Sequence, residues 1–231
     1  MKNTSWEIIV RKVDDFKMSK GITSFVNPYS MLVLEGKESI AQNVDNWCVD
    51  GFSLVKTFNM FEKKNINRFS FDDSSITQLV FDYSKTNNLT IAVIGTKEVF
   101  IHKAVKTIEV KFGVKVSYFR NGYFRNNDEL DESVSIINER NIDIVICGMG
   151  TPFQEDFLIN LKNVGWNGYG FTCGGYLHQI ATKENYYPFF FDKLNIRWIY
   201  RIIDEPKLIK RYFYYYPFFF IKFFKFILTK C

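Results

Sequence analysis

The 231-residue chain predicts an α/β protein: a Rossmann-like, open, mostly parallel sheet with helices on both faces, plus a C-terminal helical, membrane-associating appendage. Three observations carry this. Short apolar runs, notably 90–94 and 142–147, have the length and β-branched content of strands buried on both faces. Each ends at glycine and leads into a stretch of helical length, the β-α-β pattern that builds parallel sheets. Hydrophobic residues make up 47% and charged residues 24%, enough apolar mass for a core and too much for a disordered chain or a disulfide-stapled miniprotein.

Taken in order, residues 22–34 read as a strand running into a turn and a helix start, because Pro28 disfavours helix at Asn27. Residues 39–61 mix polar and apolar positions around Asp50-Gly51. Residues 69–85 read as a helix, with Asp72 and Asp73 at its N-terminus. A strand at 90–94, a helix at 97–112 and a strand at 114–119 form the clearest β-α-β unit. A second round follows: helix 132–140, strand 142–147, the turn Gly148-Met149-Gly150-Thr151-Pro152 and helix 154–163. A last strand, 169–173, closes at Gly174-Gly175. In such sheets ligands bind at the carboxyl ends of the strands. The division expected is a core of residues 1–195 and an appendage of residues 196–231.

The appendage carries the charge. The net charge is +5, yet the six basic residues from Lys207 onward face no acidic one, which leaves 24 basic against 25 acidic in the rest. Phe and Tyr fill 11 of the 20 positions 212–231. A membrane span needs ~20 uninterrupted apolar residues, and Pro217, Lys222 and Lys225 interrupt this one. On a helix, Lys222, Lys225 and Lys230 fall opposite Phe219, Phe220, Phe223, Phe226 and Ile227, the pattern of a helix lying on an anionic membrane surface. The alternative is a terminal helix packed on the protein's own core. On the membrane reading, truncation after Arg211 abolishes liposome binding and leaves the body folded. No nucleic-acid recognition module accompanies the tail, so nucleic acid is not an expected partner.

Individually the motifs are modest. The Gly148–Glu155 segment follows a strand and opens a helix, so its backbone can approach a phosphate, or it is simply a tight loop. It is neither a phosphate-binding P-loop nor a full dinucleotide fingerprint. Gly95-Thr96-Lys97 is a comparable turn, and Asp50-Gly51 reads as a turn. Arg68 with Asp72 and Asp73 is a ligand clamp or, by default, a capped helix start. The acidic stretch 128–132 is a solvated helix N-terminus. His102 lies on a helix; His178, after the Gly174-Gly175 turn, faces the strand ends. Cys48, Cys147, Cys173 and Cys231 lack metal or redox spacing. The N-terminus has no apolar signal core, so a cytoplasmic protein with reduced thiols is expected. No Asp-x-Asp triplet occurs, and neither metal nor cofactor is expected.

Their order is more telling. Over roughly residues 20–213 the chain resembles the WecG/TagA/CpsF family of bacterial glycosyltransferases. The match is strongest at the strand 142–147 with Gly148-Met149-Gly150-Thr151-Pro152-Phe153-Gln154-Glu155. It continues at Trp198-Ile199-Tyr200-Arg201, Glu205-Pro206 and Arg211-Tyr212. Asn27-Pro28-Tyr29-Ser30, Asp50-Gly51 and Arg68 with Asp73 resemble further motifs of the family. The resemblance implies inverting transfer of a sugar, typically N-acetylmannosamine-type, from a UDP-sugar donor to a polyprenyl-diphosphate-linked sugar acceptor in teichoic acid, capsule or related surface-polysaccharide synthesis, without a metal. It implies Asp50 as general base, Asn27 as a holder of the donor sugar, and Gly148, Gly150, Gln154 and Glu155 around the nucleotide. Arg201 and Arg211 would reach the diphosphate, and Arg68, Asp73, Gly174 and Gly175 would complete the substrate site. The implied location is the cytoplasmic face of the plasma membrane, as a peripheral protein; self-association into a homo-oligomer is left open. The chain departs from the family pattern at Phe71, where glycine is expected, and at His178, which replaces an acid. The rival reading is a catalytically inactive nucleotide-sugar- or lipid-binding module on the same fold.

Overall fold

A computed structural model describes residues 4–182, 202–203 and 205–230. Among these, six strands form a single, wholly parallel sheet: β1 (Gly21–Val26), β2 (Asn46–Val49), β3 (Ile91–Gly95), β4 (Val116–Arg120), β5 (Ile144–Gly148) and β6 (Tyr169–Thr172), in the order β2-β1-β6-β5-β3-β4. The open α/β architecture expected from the sequence is therefore present. β3 and β5 are buried along their whole length and pair from Ile91 with Ile144 to Gly95 with Gly148. Alternation divides them between two cores. Ala92, Ile94, Val145 and Cys147 join one core and Ile91, Val93, Ile144 and Ile146 the other.

The first core is covered by α1 (Ser5–Lys12), α3 (Glu38–Asn43), α4 (Phe52–Phe61), α7 (Asn127–Glu139) and α8 (Phe153–Asn163). The second is covered by α5 (Thr77–Thr86), α6 (Glu98–Phe112) and α9 (Tyr176–Thr182). The short α2 (Pro28–Val33) follows β1 directly. The sheet order has a functional consequence. The chain moves from β1 outward to β2 and from β3 outward to β4, so a crevice opens at the carboxyl ends of the strands between them.

Two helix boundaries differ from expectation. The helix read over 69–85 begins only at Thr77. Arg68 bridges Val49 and the Phe69 amide donates to the Val49 carbonyl, which keeps the chain extended beside β2. Asp72 then spends its carboxylate on the Ser74 amide and hydroxyl rather than on a helix end. The helix read from 132 starts instead at Asn127, because the Asn126 side chain accepts from the Glu129 amide and caps it there.

The larger correction concerns the tail. After a 3-10 turn (Pro206–Leu208) and a π turn (Arg211–Tyr215), helix α10 runs Tyr216–Lys230. Phe219 and Phe223 are 0% exposed and belong to the first core. Their rings lie 5.5 and 6.0 Å from Trp6, and Phe223 also packs 5.5 Å from Phe58. Lys222 donates to both carboxylate oxygens of Glu35 at 2.7 and 2.5 Å. The ring face assigned to lipid thus faces the protein. The apolar side chains that look outward are Phe218, Ile221, Phe224 and Leu228. Truncation after Arg211 would strip two core phenylalanines, so the expectation of an undisturbed body gives way. The boundary at 195/196 and the Trp198–Arg201 motif lie outside the described residues.

Candidate active site

The crevice is a cleft of about 890 Å³. Its floor is made by backbone in close approach. Gly95, at φ +147°, leaves no room for a side chain, since a Cβ there would stand 2.5 Å from the Gly148 carbonyl oxygen. The Thr96 amide donates to that carbonyl, and the Gly122 amide to Thr96. One wall comes from the ends of β1 and β2 with the segment after Arg68. The opposite wall comes from Thr96, Lys97 and Tyr123, and the tail contributes Leu208, Arg211 and Tyr212.

Asp50 follows β2, its amide donating to the Val26 carbonyl. Oδ1 accepts from Arg68 Nη2 at 2.9 Å and Nε at 3.1 Å. Arg68 is held from behind by Ser70 Oγ at 2.7 Å and Asp72 Oδ2 at 3.1 Å. Arg68 therefore holds Asp50 and forms no part of a helix cap. Burial works to lower its pKa, but the adjacent Asp50 and Asp72 outweigh that and hold the guanidinium firmly charged. The Asp50 side chain is 31% exposed on the cleft, and among the described residues no donor reaches Oδ2. Phe71, in place of the expected glycine, packs against Phe81, Phe171 and Tyr176.

Asn27 caps α2: its Oδ1 accepts from the Tyr29 and Ser30 amides. That leaves its amide nitrogen for the cleft it lines. Tyr29 does something the sequence did not announce. The Arg211 guanidinium sits 4.2 Å above its ring, and Tyr215 packs against it at 5.3 Å. Arg211 thereby reaches the cleft from the tail; Arg201 lies outside the described residues.

Gly148, Gly150, Gln154, Gly174 and Gly175 all line the cleft. Two expected members do not. Glu155 is 0% exposed and lies beneath the loop, where its Oε1 accepts from Ser24, Gln154 and Thr151. Asp73 turns away to pair with Lys111 and accepts from the Tyr176 hydroxyl, so it supports a cleft residue without being one. His178 lines the cleft with its ring edge-on to Phe100, whereas His102 is exposed beside Glu98. Sequence reasoning missed Tyr123, 65% exposed at the rim, for which no motif gives a signal. Among the described residues no three His, Cys, Asp or Glu side chains converge as a metal set.

The cleft thus gathers, at the carboxyl ends of parallel strands, a partly exposed carboxylate, a small-residue loop and an arginine from the tail. The model of the glycosyl transferase WecG/TagA/CpsF family matches residues 1–230. The sequence is 37% identical, over 93% of this chain and 90% of the relative, to the UDP-Gal:alpha-D-GlcNAc-diphosphoundecaprenol beta-1,4-galactosyltransferase of Shigella boydii. It is 27% identical, over 70% of this chain, to the N-acetylglucosaminyldiphosphoundecaprenol N-acetyl-beta-D-mannosaminyltransferase of Staphylococcus aureus (strain NCTC 8325 / PS 47). That second alignment spans 62% of the relative, under two thirds of its length.

Proposed function

The chain belongs to the glycosyl transferase WecG/TagA/CpsF family, and from that membership we propose that it transfers a hexose from a UDP-sugar to N-acetylglucosaminyl-diphospho-polyprenol, with inversion at the anomeric carbon. The observation that carries this is Asp50, clamped through Oδ1 and open at Oδ2 on the cleft. Asp50 Oδ2 takes the proton of the acceptor hydroxyl as that oxygen attacks the anomeric carbon of the donor. The carbon–oxygen bond to the diphosphate breaks, and UDP leaves with the electron pair. Asn27 is on hand for the donor sugar. The Gly148–Gly150 loop and Arg211 offer backbone amides and a guanidinium to the departing diphosphate.

Galactose ranks first as donor sugar, because the relative aligned over 93% of this chain is named for UDP-Gal. An N-acetylmannosamine-type sugar ranks second, on the more distant relative. Both names share the acceptor, N-acetylglucosamine on diphosphoundecaprenol. A panel of UDP-sugars offered with a short-chain polyprenyl-diphosphate-GlcNAc is expected to give UDP release and a disaccharide lipid with UDP-galactose foremost. Donor binding without transfer anywhere in the panel would sink the enzyme reading in favour of a binding module.

The acceptor is a lipid, and we extend the proposal to peripheral attachment at the cytoplasmic membrane surface. No helix of the described residues is long and apolar enough to cross a membrane. Support comes from the outward face of α10, where Phe218, Ile221, Phe224 and Leu228 are exposed beside Lys225, with Met60 and Phe61 of α4 adjoining through the Phe61–Phe224 contact. The double substitution Ile221→Glu and Leu228→Glu leaves Phe219 and Phe223 in place. It is expected to weaken co-sedimentation with anionic liposomes at low salt; unchanged binding removes this face from the membrane.

A further inference from the structure

Glu155 is buried and takes no direct part in the chemistry above, yet it is the meeting point of a polar chain that runs beneath the cleft. The Phe25 amide donates to Thr172 Oγ1 at 3.3 Å, Thr172 Oγ1 to Ser24 Oγ at 3.0 Å, and Ser24 Oγ to Glu155 Oε1 at 2.7 Å. From the other side, Gln154 Nε2 and Thr151 Oγ1 donate to the same oxygen at 3.0 and 3.2 Å. Gln154 in turn accepts the Gly174 amide at 3.2 Å. The chain therefore joins the ends of β1 and β6, the loop after β5 and the turn after β6. These are the segments that bring Asn27, Gly150 and Gly174 to the cleft.

We propose that Glu155 is a positioning residue: in its uncharged form it fixes the Gln154 side chain and the Gly148–Thr151 loop against β1 and β6 so that they receive the donor nucleotide. The uncharged form follows from the surroundings. The carboxyl is fully buried, Oε2 has no hydrogen-bond partner among the described residues, and the groups that donate to Oε1 are two hydroxyls and an amide rather than a cation. A carboxylate with one bare oxygen in that position is costlier than a carboxyl group. Burial pushes the group up in the same sense, against the hydrogen bonds from Gln154 and Ser24.

The inference rests on the donor site proposed above, so the test reads binding of UDP itself, by calorimetry on the full chain. Glu155→Ala is expected to weaken UDP by about tenfold, the scale of one lost hydrogen bond, while Glu155→Gln, which can still accept at Oε1, stays within about twofold of wild type. If the effect runs through Gln154, adding Glu155→Ala to Gln154→Ala brings little further loss. Should Glu155→Ala fail to fold, Ser24→Ala removes a single donor and is expected to give a smaller loss of the same kind. The proposal is overturned if Glu155→Ala, or Ser24→Ala in its place, binds as wild type. It is overturned equally if Glu155→Gln is as damaged as the alanine variant, or if the full loss persists in the Gln154→Ala background. Wild-type protein that binds no UDP would instead refute the donor site.

Discussion

Asp50→Asn is expected to lower the transfer rate by about two to four orders of magnitude, the usual contribution of a positioned general base, with the protein folded and UDP binding retained. Asparagine preserves the size of the side chain and keeps an oxygen where Oδ1 accepts Arg68 Nε and Nη2. What it removes is the ability to take a proton at the position facing the cleft. Arg68 stays anchored on Ser70 and Asp72, so the wall of the cleft survives. The measurement is the initial rate of UDP release at saturating donor and acceptor, paired with UDP affinity. Turnover at the wild-type level would take Asp50 out of the chemistry, whereas loss of UDP affinity would mean the substitution had damaged the site rather than the proton transfer.

The largest stability effect falls on the tail helix. Phe223→Ala is expected to destabilise the protein by about 3–5 kcal/mol, the range for emptying a phenylalanine position in a packed core. Phe223 is fully buried, and its ring touches those of Trp6, Phe58, Phe219 and Phe226. Urea unfolding followed by tryptophan fluorescence reads the change, because Trp6 lies in the affected slot. A loss under about 1 kcal/mol, the size of one buried methylene, would show that α10 is only loosely seated. Truncation after Arg211 is the harsher version, since it uncovers Trp6 and Phe58 together.

The parts of this molecule that could be read from its sequence are those whose partners are close by or whose environment is uniform. The runs at β3 and β5 announce themselves because both faces are buried and nothing polar is tolerated. The Gly148–Gln154 loop is legible through its place in the order of motifs, since alone a small-residue turn between strand and helix is as readily a tight loop. Glu155 was misjudged for a local reason. One step along a helix is ~100°, enough to carry the neighbour of a cleft residue beneath the floor. The start of α5 was misjudged because Arg68 and Asp72 are claimed by Asp50 and Ser74, competitors that a propensity argument does not contain. For the tail, the helical periodicity set Lys225 apart from the ring face, but Lys222 lies beside Trp6 and pairs with Glu35. The periodicity could not say which face meets protein, since the slot that receives Phe219 and Phe223 is built by Trp6 and Phe58, far away in the chain. Arg211 was found through family resemblance, but the Tyr29 ring beneath it became visible only in three dimensions.

The long separation between Trp6 and Phe223 has a bearing on how the molecule comes apart. Bringing those segments together closes a loop that spans most of the chain, an entropic cost that local contacts do not share. Proteins open locally in cooperative units that often coincide with supersecondary motifs. The unit formed by the π turn and α10 makes its contacts with α1, α2 and one face of α4. An opening of that unit would carry Arg211 away from Tyr29 and the cleft without breaking any strand pairing of the six-stranded sheet. Amide exchange in α10 and the lifetime of a complete site are therefore two readings of a single equilibrium, set by how well three phenylalanine rings grip one tryptophan.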